Sequence, residues 1–126
     1  MRIDLLHAGL NKLVINDQYL VDVSNLRDDI ISTNVTLFVY LRFSLLNGTE
    51  VQAQGSLGGD IELRCQYSLS PFLYQISSDI DIIFTNNLEA SLGDQDTFYT
   101  NNNLDLLAYL KEEILINIPM VPIMEE

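Results

Sequence analysis

An Asn47-Gly48 dipeptide placed directly after a long alternating segment is the feature of this sequence that most constrains its fold. Residues 35–46 repeat with a period of two, and the apolar positions on one parity are Val35, Leu37, Val39, Leu41, Phe43 and Leu45. This period is typical of a strand that buries one face. Asn-Gly favours the positive φ angles of a type I′ hairpin turn, which reverses the chain. The sequence therefore predicts an antiparallel hairpin whose first strand is residues 35–46.

The segment after the turn continues the alternation and predicts the returning strand. Its apolar or small positions are Val51, Ala53, Gly55, Leu57, Ile61, Leu63 and Cys65. Gly58-Gly59 indicates a kink or bulge, so the segment is either one bent strand or two short ones. A further alternating run places one set of side chains inward, namely Phe72, Tyr74, Ile76, Ile80, Ile82 and Phe84. The pattern predicts three or four consecutive antiparallel strands.

Two parts of the chain are less regular. Residues 85–102 are rich in Asn, Asp, Gly and Thr and lack periodicity, which predicts an acidic, polar loop. In the N-terminal third, Ile3 to Leu6 and Tyr19 to Val23 are expected to form short strands. Ser24 is a candidate cap for a brief helical turn that ends at Arg27.

A C-terminal helix is predicted over roughly residues 103–116. The apolar positions that recur at helical spacing are Leu106, Leu107, Leu110 and Ile114. Asn102 or Asn103 is the expected N-cap, and Asp105 lies near the positive end of the helix dipole. Pro119 cannot continue a helix, so we expect the segment from Pro119 to Pro122 to be extended.

These elements predict an α+β fold. The expected sheet is antiparallel, strongly curved or partly barrel-like, and has about five to six strands with the C-terminal helix packed on it. The length of 126 residues fits one domain, so residues 1–126 are interpreted as a single unit.

The charge of the chain bears on its partners. It carries 18 acidic and 6 basic residues, which gives a formal net charge of -12. The electrostatic field of so negative a chain repels a phosphate backbone and favours a basic protein partner. The one cysteine cannot form an internal disulfide, and no secretion leader or apolar run of about 18 residues is present. We therefore expect a soluble, cytoplasmic protein that does not contact a membrane.

The residues that could support catalysis or metal binding form no recognisable constellation. Cys65 has the parity of a buried strand residue, and His7 has no partner or nucleophile pattern around it. Asp79 and Asp81 share a strand face, where a solvated face is favoured over a metal site or an acid–base pair. We therefore expect no enzymatic activity, no catalytic residue and no cofactor.

Two segments resemble the YceD family of large ribosomal RNA accumulation proteins. Residues 63–72 are similar to a family segment that normally contains a strand ending in Cys-x-x-Cys and then a Pro-Phe pair. Residues 104–122 are similar to an Ile-Asp-Leu helix with a late Glu before a Pro-x-x-Pro tail. The family-motif or binding positions implied by this resemblance are Arg64, Cys65, Tyr67, Ser68, Pro71, Phe72, Asp105, Glu113, Pro119 and Pro122.

The chain departs from the family pattern at two of these positions. Ser68 occupies the place of the second cysteine, and Tyr67 replaces the common arginine. Many relatives also have a cysteine-rich tail, which this sequence lacks. Structural zinc requires four Cys or His ligands, and the chain has one of each residue, so we expect no metal site.

The resemblance implies a role in accumulation or maturation of large-subunit ribosomal RNA. Because of the acidity, a basic ribosomal protein or assembly factor is the expected direct partner, with contact to ribosomal RNA indirect. One alternative is a carrier that holds a small ligand inside a curled sheet. Another is a degenerate paralogue that lost its function with its cysteines. The sequence leaves the oligomeric state open.

Overall fold

A meander of four antiparallel strands dominates the fold, which a computed structural model describes for residues 2–47, 50–86 and 97–123. In chain order the elements are β1 (Arg2–Asp4), α1 (Leu5–Leu10), β2 (Val14–Asp22), β3 (Asn34–Asn47), β4 (Glu50–Arg64), β5 (Pro71–Thr85), β6 (Thr97–Tyr99), β7 (Asn103–Asp105) and α2 (Leu106–Asn117). The main sheet has the order β2-β3-β4-β5-β6, and β6 runs parallel to β5. Strands β1 and β7 form a separate antiparallel pair.

This architecture confirms the α+β class, the antiparallel meander and the C-terminal helix. The partly barrel-like closure is not confirmed, because β2 and β6 are the two ends of the sheet within the described residues and do not pair with each other. Among the described helices, none combines the length and the apolar composition needed to cross a bilayer.

The predicted hairpin is formed by β3 and β4. The two strands pair from Phe38 and Gly58 to Leu45 and Val51, with a register shift next to the turn. On β3 the alternation places Leu37, Leu41 and Phe43 in the core, with 0–1% of each side chain exposed. Positions 48 and 49 lie outside the described residues, so the type I′ geometry stays a prediction.

Strand β4 is a single strand of 15 residues. Its ladder with β5 runs from Glu50 and Thr85 to Arg64 and Pro71 without a register shift, so a bulge at Gly58-Gly59 is wrong for this ladder. The hydrogen-bonded pairing of β4 with β3 instead ends at Gly58, opposite Phe38. Beyond it, the loop before β3 takes over the hydrogen bonding: Ile31 N donates to Glu62 O at 2.8 Å.

Gly55 and Gly59 lie where the backbones of β4 and β3 are too close for a side chain to fit between them. A Cβ on Gly55 would overlap the Tyr40 carbonyl oxygen and lie 2.7 Å from the Tyr40 carbonyl carbon. A Cβ on Gly59 would lie 2.6 Å from the carbonyl oxygen of Thr36. Both positions have the parity of the buried Ala53 and Leu57, so the close approach is on the inner face. Glycine in a strand often marks such a close approach of another backbone.

The polar loop predicted over residues 85–102 is corrected at both ends. Thr85 completes β5, and Thr97–Tyr99 form β6. The ring of Phe98 packs edge-on against Phe84 and Tyr109, and this long-range contact explains why a three-residue strand has no periodic signal. Residues 87–96 lie outside the described part of the chain.

The start of α2 also differs from the prediction. Asn103 lies in β7, where it pairs with Asp4, so Asn102 and Asn103 are wrong as the cap. Asp105 is the N-cap, and its Oδ1 accepts a hydrogen bond from Ala108 N at 3.3 Å. The helix ends at Asn117, one residue past the predicted Ile116.

The N-terminal third contains a helix that the sequence did not predict. Leu5 and Leu6, expected in a strand, begin α1, which is too short for a clear periodic pattern. Asp4 caps it by accepting from His7 N at 3.0 Å and from the side-chain amide of Asn102 at 2.9 Å. These two hydrogen bonds, the first foremost, lower the pKa of the Asp4 carboxyl. Strand β2 begins at Val14 instead of Tyr19, and residues 24–27 form turns.

The core lies between α2 and the inner face of the sheet. At its centre four aromatic side chains meet, namely Phe43, Phe84, Phe98 and Tyr109. The ring centroids of Phe84 and Tyr109 are 5.1 Å apart in an edge-to-face arrangement. Such pairs stabilise a core beyond the area they bury.

Candidate binding surface

The two sequence motifs meet at one end of the sheet. Gln66 N, in the turn between β4 and β5, donates a hydrogen bond to the carbonyl oxygen of Pro122 at 2.8 Å. Pro122 itself is buried, while its neighbours Val121 and Ile123 are exposed. The segment after α2, residues 118–123, is therefore fastened to the strand–turn motif. We call this segment the tail.

Cys65 and Ser68, which take the two positions of the Cys-x-x-Cys pattern, lie in the turn between β4 and β5. Cys65 is buried, and its N–H donates to Ser70 O at 2.9 Å. Leu69 N donates to Cys65 O at 2.9 Å, and Leu69 adopts a positive φ of 59°. Ser68 is exposed, and its hydroxyl oxygen accepts from Ser70 N at 3.3 Å. Cys65 thus belongs to the core, whereas Ser68 shapes the exposed turn.

Arg27 anchors the tail from the other side. Its Nη2 donates to the carbonyl oxygen of Pro119 at 3.0 Å, and the guanidinium also pairs with the carboxylate of Asp29. The backbone of Asp29 is held in turn, because its carbonyl oxygen accepts from Arg64 N at 2.8 Å. Sequence reasoning missed Arg27 as an anchor, since 92 positions separate it from Pro119 and no local pattern links them.

Asp105 and Glu113 have structural roles on α2. Asp105 caps the helix, and a Glu113 carboxylate oxygen accepts from the Tyr109 hydroxyl at 3.0 Å. Burial, together with the nearby negative charge of Glu113, raises the pKa of the Tyr109 phenol. With a rise of 1.5 Å per residue, the 12 residues of α2 place Asp105 roughly 18 Å along the helix from the tail. The structure therefore does not bring Asp105 to the surface formed by the turn and the tail.

The capping role of Asp105 gives a stability prediction. Replacing Asp105 with alanine removes the acceptor for Ala108 N, and we expect the free energy of unfolding to fall by about 1 kcal/mol. Asp105→Asn keeps a side-chain oxygen and should retain most of the stability. Urea unfolding followed by circular dichroism measures both variants. Equal losses in the two variants would contradict the capping role.

An open groove lies between β5 and the tail. Its β5 side is formed by the run from Phe72 to Gln75, and its other side by Pro119, Val121 and Ile123. Phe72 and Tyr74 are half-buried against the core, whereas 67% of Leu73 is exposed. Beside the groove, Tyr67 in the turn is also largely exposed. The motif residues thus line an accessible apolar surface.

The outer face of β4, which lies across β5 from this groove, carries two carboxylates. In the ladder between β4 and β5, Glu62 lies opposite Leu73 and Asp60 lies opposite Gln75. Arg64, opposite Pro71, is exposed at the end of the same row of side chains. These charged side chains lie on the strand next to β5, one strand away from the groove.

The fold and this surface define an α+β domain that presents an apolar groove, with an acidic row of side chains one strand away. Among residues 2–47, 50–86 and 97–123, no three His, Cys, Asp or Glu side chains converge as they would around a metal ion. The family model "Large ribosomal RNA subunit accumulation protein YceD" matches residues 53–126, which is more than half of the chain. The chain belongs to the YceD family. No curated protein and no solved structure matches it.

Proposed function

We propose that this protein is a non-enzymatic factor that supports the accumulation or maturation of large-subunit ribosomal RNA by binding a ribosomal protein or a precursor particle. The observation that carries the proposal is the match over residues 53–126 to a family whose name refers to accumulation of this RNA. The matched region includes both motifs, and these form one surface through the hydrogen bond between Gln66 and Pro122.

Electrostatics favours a protein as the direct partner. The net charge of -12 opposes a broad grip on RNA, since each phosphate contact needs a nearby cation. Asp60 and Glu62 lie on β4, the strand next to the groove strand β5. A basic protein gains both faster association and selectivity from nearby carboxylates. Contact with ribosomal RNA is then indirect, and the expected location is the cytoplasm.

The test is deletion of the gene followed by quantification of both ribosomal RNAs. We expect the large-subunit RNA to fall relative to the small-subunit RNA, and a plasmid carrying the wild-type chain to restore the ratio. A tagged protein should co-sediment with large-subunit precursors in a sucrose gradient. An unchanged RNA ratio in the deletion strain would refute the proposal. A degenerate paralogue would fail to restore assembly in a strain that lacks its active relative.

A further inference from the structure

Among the described residues, strand β5 is paired on one side only next to the groove. It pairs with β4 along its whole length, but on the other side β6 covers only Ile83, Phe84 and Thr85. Within the part of the chain that the structure describes, the stretch from Pro71 to Ile82 has no second strand partner. Such an edge presents a row of N–H and C=O groups to which another chain can add as a strand.

The groove end of this edge lacks the charges that usually protect an edge strand. Residues 71–78 contain no charged side chain, and the acidic positions begin at Asp79. The opposite edge of the sheet, β2, carries Asp17 and Asp22 along a strand of nine residues. Charged side chains on an edge discourage strand addition, so β5 is the more receptive of the two edges.

The chemistry around the free edge indicates what would add to it. Leu73 on β5 and Val121 and Ile123 on the tail offer exposed apolar contacts. Asp60 and Glu62 lie on the outer face of the neighbouring strand. An added strand of alternating residues would direct one set of side chains toward the groove and the other to the outer face of the sheet, where long side chains can extend across β5 toward these carboxylates. A partner segment that alternates apolar and basic residues would therefore suit both the groove and these carboxylates.

We infer that the edge of β5 beside the groove binds an extended segment of a basic protein as an additional strand. The apolar side chains of that segment pack against Phe72, Tyr74 and the tail, and its basic side chains extend across β5 toward Asp60 and Glu62. The inference deepens the proposed function, and it rests on that function for the identity of the partner as a ribosomal protein or assembly factor.

A second copy of this chain is a poorer occupant than a basic segment. Two β5 edges pairing antiparallel would bring each acidic outer face, with Asp60, Glu62, Asp79 and Asp81, toward its equivalent in the other copy. Like charges across neighbouring strands are destabilising, and the chain already carries a charge of -12.

The test uses the full chain and a synthetic peptide of alternating valine and lysine, about eight residues long, which is the length of an ordinary strand. Binding is measured by isothermal titration calorimetry, and hydrogen exchange of the backbone amides is measured by NMR. We expect the peptide to slow amide exchange between Phe72 and Ser78 and to leave the amides of β2 unaffected. A peptide of alternating valine and glutamate should not bind.

Matched variants locate the site. Leu73→Lys places a cation on the free edge and should raise the Kd of the valine–lysine peptide by about tenfold or more. Leu20→Lys is the control, because Leu20 lies on the other edge strand and is 66% exposed, compared with 67% for Leu73. Asp60→Lys should also weaken binding, whereas Asp17→Lys, with the same change in net charge, should not.

Each outcome decides the inference. Absence of peptide binding, protection of β2 amides, or equal losses for Leu73→Lys and Leu20→Lys would overturn it. Self-association of the chain that Leu73→Lys abolishes would also overturn it, because the occupant would then be a second copy. In cells, a normal RNA ratio with Leu73→Lys but a low ratio in the deletion strain would refute the edge site and leave the proposed function standing. A normal ratio in the deletion strain would refute the proposed function alone.

Discussion

Replacing Gly55 with alanine is expected to lower the free energy of unfolding by about 3 kcal/mol or more, since overpacking a core costs about 1–3 kcal/mol even where side chains can move aside. Here the new methyl group would overlap the carbonyl oxygen of Tyr40, which belongs to the backbone of β3. A backbone carbonyl cannot change rotamer, so β3 and β4 must separate along the part of the ladder that holds Leu41 and Ser56. Urea unfolding of the purified variant measures the loss.

Gly58→Ala is the matched control for this experiment. Gly58 lies on the same strand three residues later, but a Cβ there would meet only the carbonyl oxygen of Ile76, at an ordinary 3.5 Å. Neither glycine has a positive φ angle, so the difference between the variants reports steric space and not backbone conformation. We expect a change within about 1 kcal/mol of wild type for Gly58→Ala. Similar losses at both positions would contradict the close approach of β4 to β3.

Replacing Phe84 with alanine is the second substitution with a large expected effect. Phe84 is 1% exposed, and its ring contacts three other aromatic rings, those of Phe43, Phe98 and Tyr109. Removing it leaves a cavity between the sheet and α2. A loss of about 3–5 kcal/mol is expected for a buried Phe→Ala change. Unfolding in urea, followed by near-ultraviolet circular dichroism of the aromatic residues, measures it.

Phe38→Ala removes the same atoms from the other face of the sheet. Phe38 is 57% exposed on the outer face of β3, so its truncation leaves no enclosed cavity. The expected loss is about 1 kcal/mol or less, since little packing is removed. Equal destabilisation by the two alanine variants would show that the aromatic cluster around Phe84 is not the centre of the core.

The elements that sequence reasoning predicted well are those whose signal is local. The alternation from Val35 to Leu45 and the Asn-Gly dipeptide after it are sufficient to specify β3 and its hairpin with β4. Likewise, the spacing of Leu106, Leu110 and Ile114 specifies α2, and all three side chains are buried. In each case a hydrophobic period of several repeats reports which face meets the core.

The errors arise where pairing partners are distant in sequence. Asn103 was a good candidate cap by residue type, but its pairing with Asp4 makes it part of a strand. Strand β6 exists because Phe98 reaches Phe84 and Tyr109, a contact that no period of two could indicate in three residues. Short elements are specified by tertiary contacts, which a single sequence does not display.

Part of the candidate surface could also be predicted, because its two motifs are local features of the sequence. Residue type and order identified the strand–turn motif and the tail, and the hydrogen bond from Gln66 to Pro122 joins them. Asp105, another family-motif position, caps α2 and is separated from that surface by the length of the helix. Arg27 was absent from the predicted site, since only the fold places its guanidinium beside Pro119.

The pairing of β1 with β7 means that the region matched by the family model is shorter than the part of the chain that must fold together. The family match begins at residue 53, within β4, yet Ile3 pairs with Leu104 inside the matched half, and β3 covers the first part of β4. A fragment limited to the matched residues would lose both partners and uncover the apolar face that Leu37 and Leu41 help to bury. The surface formed by the turn and the tail is therefore the product of the whole chain, so a minimal fragment chosen by sequence recognition would be the wrong reagent for finding its partner.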